Sequence, residues 1–239
     1  AVTFGDLLSI FQGNIEIHPS KSNEYRLTGH VTIDNNNKHY FPIQIEDDRT
    51  FNGNNKKITY IGDTEWGGLF ISSADGDTFA IKKTTFDLYG ANLSDNNGCF
   101  LSKMNHINNT ITIDNCHSES TNSKTIGEYG GGLVGDLFGK EATCEIINCS
   151  NSLEMEGNKS GGICGNNPGY EGTLTITNCN NSGTIAGENA GGICGSNAGL
   201  SGTLTITNCN NSGTITGLGS GGICGLNAGL SGTLTITNC

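Results

Sequence analysis

Proline is nearly missing from this chain, three in 239 residues, while Gly reaches 37. That balance suits neither a collagen-like rod nor a Pro-rich linker. Charged residues make up 15% and aromatic residues 7%, which argues against a compact core of large side chains and leaves burial to something repetitive. Lys and Arg are absent from Gly161 to Cys239, where Glu171 and Glu188 are the only acids. The formal net charge of −11 therefore belongs to the first two thirds, and without a basic stripe the chain repels phosphate backbones, so no nucleic-acid partner is expected. Its longest apolar candidate, Leu7 to Phe11, is a fraction of a bilayer span, so no membrane span is expected either. Ala1 is preceded by no basic or apolar leader, as in a mature protein whose signal peptide has been removed.

What the chain does have is a repeat. Gly161-Gly-Ile-Cys-Gly returns at Gly191 and Gly221, and Thr173-Leu-Thr-Ile-Thr-Asn-Cys179 returns at Thr203 and Thr233, a period of 30 residues. Looser copies precede them: Gly131-Gly-Leu-Val-Gly135 with Cys144-Glu-Ile-Ile-Asn-Cys149, Gly98-Cys-Phe-Leu101 with Thr110-Ile-Thr-Ile-Asp-Asn-Cys116, and Trp66-Gly-Gly-Leu-Phe70 with Thr78-Phe-Ala-Ile81. Such a period signals a solenoid. The apolar pieces are too short for helices and alternate as strands do, sending Leu204 and Ile206 to one side and Thr203, Thr205 and Thr207 to the other. The expected fold is all-β: a right-handed parallel β-helix of about 30 residues and three short strands per coil. Gly and Asn at fixed slots supply its positive-φ corners. Residues 1–40, with Phe4, Leu7, Leu8 and Phe11 at helical spacing, read as an N-terminal cap, and 41–239 as the solenoid, degenerate to about 130 and regular after.

The Gly-Gly-Leu-Val-Gly and Gly-Gly-Ile-Cys-Gly segments and the Thr-Ile-Thr-Asn-Cys-Asn-Asn-Ser-Gly-Thr-Ile string resemble GLUG-type repeats of surface proteins and adhesins. Thr50 to Phe70 is similar to the first coils of pectate-lyase-like β-helices. The likeness covers roughly residues 50–239; it implies a β-helix at a cell surface and transfers no catalytic residue.

Ten cysteines point to an oxidising compartment. From Cys149 they are spaced by 15 residues, which suggests a disulfide within each coil: Cys99 with Cys116, Cys144 with Cys149, Cys164 with Cys179, Cys194 with Cys209, and Cys224 with Cys239. A second register, Cys149 with Cys164, Cys179 with Cys194 and Cys209 with Cys224, bridges coils instead and stays open. No Cys-x-x-Cys spacing exists, so zinc is not expected, nor is any other metal or cofactor. Asn92, Asn108, Asn148, Asn158, Asn180 and Asn210 each stand two before Ser or Thr and are candidate N-glycosylation sites.

Thr173, Thr175, Thr177, Thr203, Thr205, Thr207, Thr233, Thr235 and Thr237 would form a flat outward grid, a candidate ligand face for carbohydrate or ice, although β-branched Thr is also simply a good strand residue. Glu46, Asp47, Asp48, Asp63 and Glu65 are the carboxylates a polysaccharide-processing enzyme would need, and all read more simply as turn residues. Asp75 and Asp77 offer too few oxygens for Ca²⁺. His18, His30, His39, His106 and His117 are scattered singly. The expectation is a non-enzymatic extracellular structural or adhesive rod. Because the array stops at Cys239 inside a unit, head-to-tail stacking of copies is expected, unless the natural chain continues; glycans are the other candidate partner.

Overall fold

The computed structural model describes residues 2–239. It is nearly all-β, a parallel β-solenoid of about 7 turns with about 30 residues per turn. Its principal wall stacks Thr78–Lys82, Thr110–Asp114, Thr143–Ile147, Thr173–Thr177, Thr203–Thr207 and Thr233–Thr237 in parallel register. Alternation does what it must here: Leu174, Ile176, Leu204 and Ile206 are fully buried, while Thr173 and Thr203 are exposed. A shorter wall follows, running through His117–Glu119, Ser150–Asn151, Asn180–Asn181 and Asn210–Asn211. The return path is held by single bridges, one column joining Trp66, Leu93, Ile126, Met155, Ile185 and Ile215, another Phe70, Leu101, Val134, Cys164, Cys194 and Cys224.

Stacking is direct along the axis. The Ile163 N–H donates to the Ile193 carbonyl at 3.0 Å, and that of Ile193 to Ile223 at 2.9 Å. Between the two walls, Asn115, Asn148, Asn178, Asn208 and Asn238 turn the chain at φ of 53 to 56°, a region that Asn tolerates better than other side chains. Coil length is not constant. Thr78, Thr110, Thr143, Thr173 and Thr203 are successive partners, so the irregular coils carry 32 and 33 residues before the repeat settles. The surplus sits in the corner after Glu119, where buried Asp87 accepts the Thr121 N–H at 3.1 Å.

The amino-terminal region closes the stack. A 3₁₀ turn, Phe4–Asp6, runs into the short helix Leu7–Ile10, burying Phe4, Leu7 and Phe11 and leaving Leu8 at the surface. An antiparallel hairpin follows, Ile15–His18 with Lys21–Leu27. Parallel pairing already begins at Glu24–Arg26 against Thr50–Asn52, and at Val31–Ile33 against Ile58–Tyr60, so coil stacking reaches into the segment expected to be cap.

Large side chains also play a bigger part than composition suggests. Phe4 lies 4.8 Å from Tyr25 and 5.4 Å from Phe70, and Trp66 5.1 Å from Phe86. The few aromatic residues are concentrated in these early coils, where coil shape varies and bulky rings fill it. The regular coils use Ile, Leu, Ala and Cys instead.

Candidate functional site

The outer threonine face is the first candidate. Register stacking places Thr173, Thr203 and Thr233 in one column, Thr175, Thr205 and Thr235 in a second, and Thr177, Thr207 and Thr237 in a third. Their spacings follow from strand geometry, about 7 Å along a strand and about 4.8 Å between coils. Toward the amino terminus the second column continues through Glu145, Thr112 and Ala80, and the third through Ile147, Asp114 and Lys82, as the sequence indicates. The first column is longer than the repeat reveals, taking in Thr143, Thr110 and Thr78. Five of these hydroxyls, Thr110 to Thr233, line one side of a shallow polar trough of about 690 Å³ that runs across the coils, with Glu141 and Glu171 also lining it. Glu141 is paired with Lys140 at 3.6 Å, and the hydrogen bond and charge of Glu171 raise the pKa of the neighbouring Tyr170.

Inside the coils are ladders that sequence reasoning did not find. Asn151 and Asn181 are buried, and each donates its Nδ2 to the Oδ1 of the next coil, Asn151 to Asn181 at 2.8 Å and Asn181 to Asn211 at 2.7 Å. The same amides donate to the carbonyls of Leu153 and Gly183. An outer ladder links Asn238 to Asn208, Asn208 to Asn178 and Asn178 to Asn148. The signal was the Asn-Asn-Ser-Gly string after Cys179 and Cys209: with period two, the second Asn must turn inward.

All ten cysteines are free thiols, eight of them buried, and none of the bonds expected within coils is formed. Cys144 lies in the strand Thr143–Ile147, stacked between Ile111 and Leu174, and Cys149 lies beyond the Asn148 corner at the strand's far end. Three residues of strand alone separate them by about 10 Å, beyond disulfide reach. Cys99 falls beside Gly98, which pairs with Gly131, so it stacks over a glycine slot. The others form two columns: Cys116, Cys149, Cys179, Cys209 and Cys239 at the end of the threonine wall, and Cys164, Cys194 and Cys224 on the return path. Burial pushes up the pKa values of Cys164 and Cys194, and that of Cys144 to about 12. Thiol-to-thiol hydrogen bonds within each column also act on Cys179 and Cys194.

The six sequon asparagines are all exposed. Nδ2 of Asn148 is engaged by Asp114 at 3.2 Å and that of Asn158 by Glu128 at 3.2 Å. The acidic candidates are not gathered into one cleft. Glu46 accepts the Phe4 N–H and pairs with Arg49, Asp47 accepts the N–H groups of Asp48 and Thr78, and Asp48 accepts from Asn23. Asp63 and Glu65 are exposed turn residues. Asp75 accepts the Ile107 N–H and faces His106, and Asp77 closes its own turn through Ala74 and Ser72. His18 meets Ser20, His30 accepts the Lys57 N–H, His39 packs on Tyr40, and His117 contacts Ser150 and Asn115 with its pKa lowered by burial. Among the described residues no group of three or more His, Cys, Asp or Glu is placed to hold a metal ion, and no helix is long and apolar enough to cross a membrane.

Compared with protein-family models, curated proteins and solved structures, the chain matches none.

Proposed function

We propose that this chain is the rigid rod of an extracellular structural or adhesive protein. The observation that supports this reading most is the continuity of identical contacts along the axis: the same backbone bonds, the same Asn ladders and the same apolar columns recur from coil to coil. A stack of that kind resists bending because tilting one coil on the next would stretch the backbone hydrogen bonds that join them along each wall. The GLUG-type resemblance supports the surface setting. Displaying the chain on a non-adherent cell and measuring attachment to host-cell and abiotic surfaces tests the reading; attachment no greater than that of a scrambled-repeat display would defeat it.

Head-to-tail association of copies belongs to the same proposal. Sedimentation over a wide concentration range tests it, and a species that stays monomeric throughout contradicts it.

A second reading, a glycan-binding module, is favoured by the polar trough beside the threonine columns. A glycan array, with thermal hysteresis for ice, separates it from a purely structural role.

A further inference from the structure

The two cysteine columns carry an inference that does not depend on the adhesive reading. Disulfide formation needs Cα atoms about 4.4 to 6.8 Å apart, and parallel strands stacked in register hold theirs at about 4.8 Å. The stacked partner of each column cysteine is another cysteine. Cys164, Cys194 and Cys224 bridge one another as strand partners. The N–H of Cys116 donates to Sγ of Cys149 at 3.3 Å, that of Cys179 to Sγ of Cys209 at 3.4 Å, and that of Cys209 to Sγ of Cys239 at 3.3 Å. We infer that oxidation of this protein joins cysteines of adjacent coils within one column, about 30 residues apart, and not the neighbours 15 residues apart in sequence.

The chemistry is ordinary exchange with a small-molecule disulfide. One column thiolate attacks glutathione disulfide, giving a mixed disulfide and one glutathione. The stacked cysteine then attacks the protein sulfur of that mixed disulfide and releases the second glutathione. Two protein thiols are oxidised, one glutathione disulfide is reduced, and the two protons leave on the glutathione thiols. Because folded thiols are enclosed and their thiolates suppressed by burial, exchange belongs to the stage when a coil is docking on its predecessor.

The arrangement limits the count. Every interior thiol has a partner above and below, so the five-member column takes at most two bridges and the three-member column one. Cys99 and Cys144, which stack on other residues, stay reduced. Such bridges tie coil to coil, and so oppose peeling of the stack, which a loop closed within one coil would not do.

The test is to refold the fully reduced chain in a glutathione redox buffer, quench with an alkylating reagent, and map the peptides without reduction. Pepsin is the suitable protease, because Gly161 to Cys239 has no Lys or Arg and acid suppresses exchange. The expected links are Cys164 or Cys224 with Cys194 in one column, and in the other any of Cys116 with Cys149, Cys149 with Cys179, Cys179 with Cys209 and Cys209 with Cys239. Links between Cys164 and Cys179 or between Cys194 and Cys209 would overturn the inference, as would ten alkylated thiols. Cys194→Ala gives a second check, read alongside β-sheet circular dichroism to confirm folding. It should leave Cys164 and Cys224 both alkylated while the other column still bridges, and persistence of a Cys164 bridge in that variant contradicts the assignment.

Discussion

Asn181 donates its side-chain amide to Asn211 at 2.7 Å, from a position that is fully buried and thirty residues away in sequence. It also receives the amide of Asn151 and donates to the Gly183 carbonyl. Truncating it takes the side-chain donor from the buried Gly183 carbonyl and from half-buried Asn211, and one of two acceptors from the buried Asn151 amide, where a buried group left unpaired costs about 1–3 kcal/mol. Asn181→Ala is therefore expected to destabilise by on the order of 3 kcal/mol in urea unfolding. Asn178→Gly, which removes the exposed-ladder amide but keeps the positive φ, should cost under about 1 kcal/mol; equal losses would mean that the internal ladder adds nothing to stability.

The glycine slots give a sharper contrast. A Cβ on Gly192 would overlap the Gly222 carbonyl oxygen and the Asn211 side chain, whereas at Gly67 it would meet nothing within 4 Å. Overpacking against backbone typically costs about 1–3 kcal/mol and sometimes more. Gly192→Ala should lower the unfolding midpoint markedly or abolish folding, and Gly67→Ala should be nearly neutral.

Acid sensitivity should arise at the first coils. Glu24 is 3% exposed, and burial alone would raise its pKa. Hydrogen bonds from Asn52 and Lys82 and the charges of Lys82 and Lys21 outweigh that and bring it from 4.5 to about 2. Since the folded value is depressed, the carboxylate's contribution to stability is complete above about pH 4.5 and is lost as the pH falls toward 2. Thermal melts across that window should show a decline that Glu24→Gln flattens; an unchanged decline in the variant would place the acid sensitivity elsewhere.

In the reduced protein the core thiols should be kinetically silent. Burial holds the pKa of Cys144 at about 12 and pushes those of Cys164 and Cys194 up as well, and the thiolate is the reactive form. At pH 8 iodoacetamide should label these three only as fast as the coils open, with a large acceleration in urea. Rapid native labelling of Cys194 would mean that the column is open to solvent.

If the chain is made in a glycosylating secretory pathway, Asn180 and Asn210 should rarely be occupied together. They are exposed strand partners on adjacent coils, about 4.8 Å apart, too close for two bulky glycans. Intact glycopeptide mass spectrometry that finds both filled on most molecules would contradict the stacking.

Much of the fold is legible in the residues, because an identical string at 161, 191 and 221 demands an identical environment and Ile163, Ile193 and Ile223 have to stack. Cysteine pairing is not legible in the same way. Cys164 and Cys179 are neighbours in sequence spacing but end different walls of the coil, and each finds its sulfur contact one full turn away. The early coils were harder still: their length changes from coil to coil, and Phe51 and Phe86 fill the irregular interior outside the looser copies of the repeat. The inward Asn ladder was hidden by the expectation that Asn belongs at corners, which holds for Asn178 and fails for Asn181.

Residues thirty apart on the threonine wall are stacked partners. Nitroxides carried on unnatural amino acids at Thr175 and Thr205, read by continuous-wave electron paramagnetic resonance, test it directly. Strong dipolar broadening is predicted for that pair, falling off for Thr175 with Thr235. Spectra that match the sum of the two single labels would contradict the stacked solenoid.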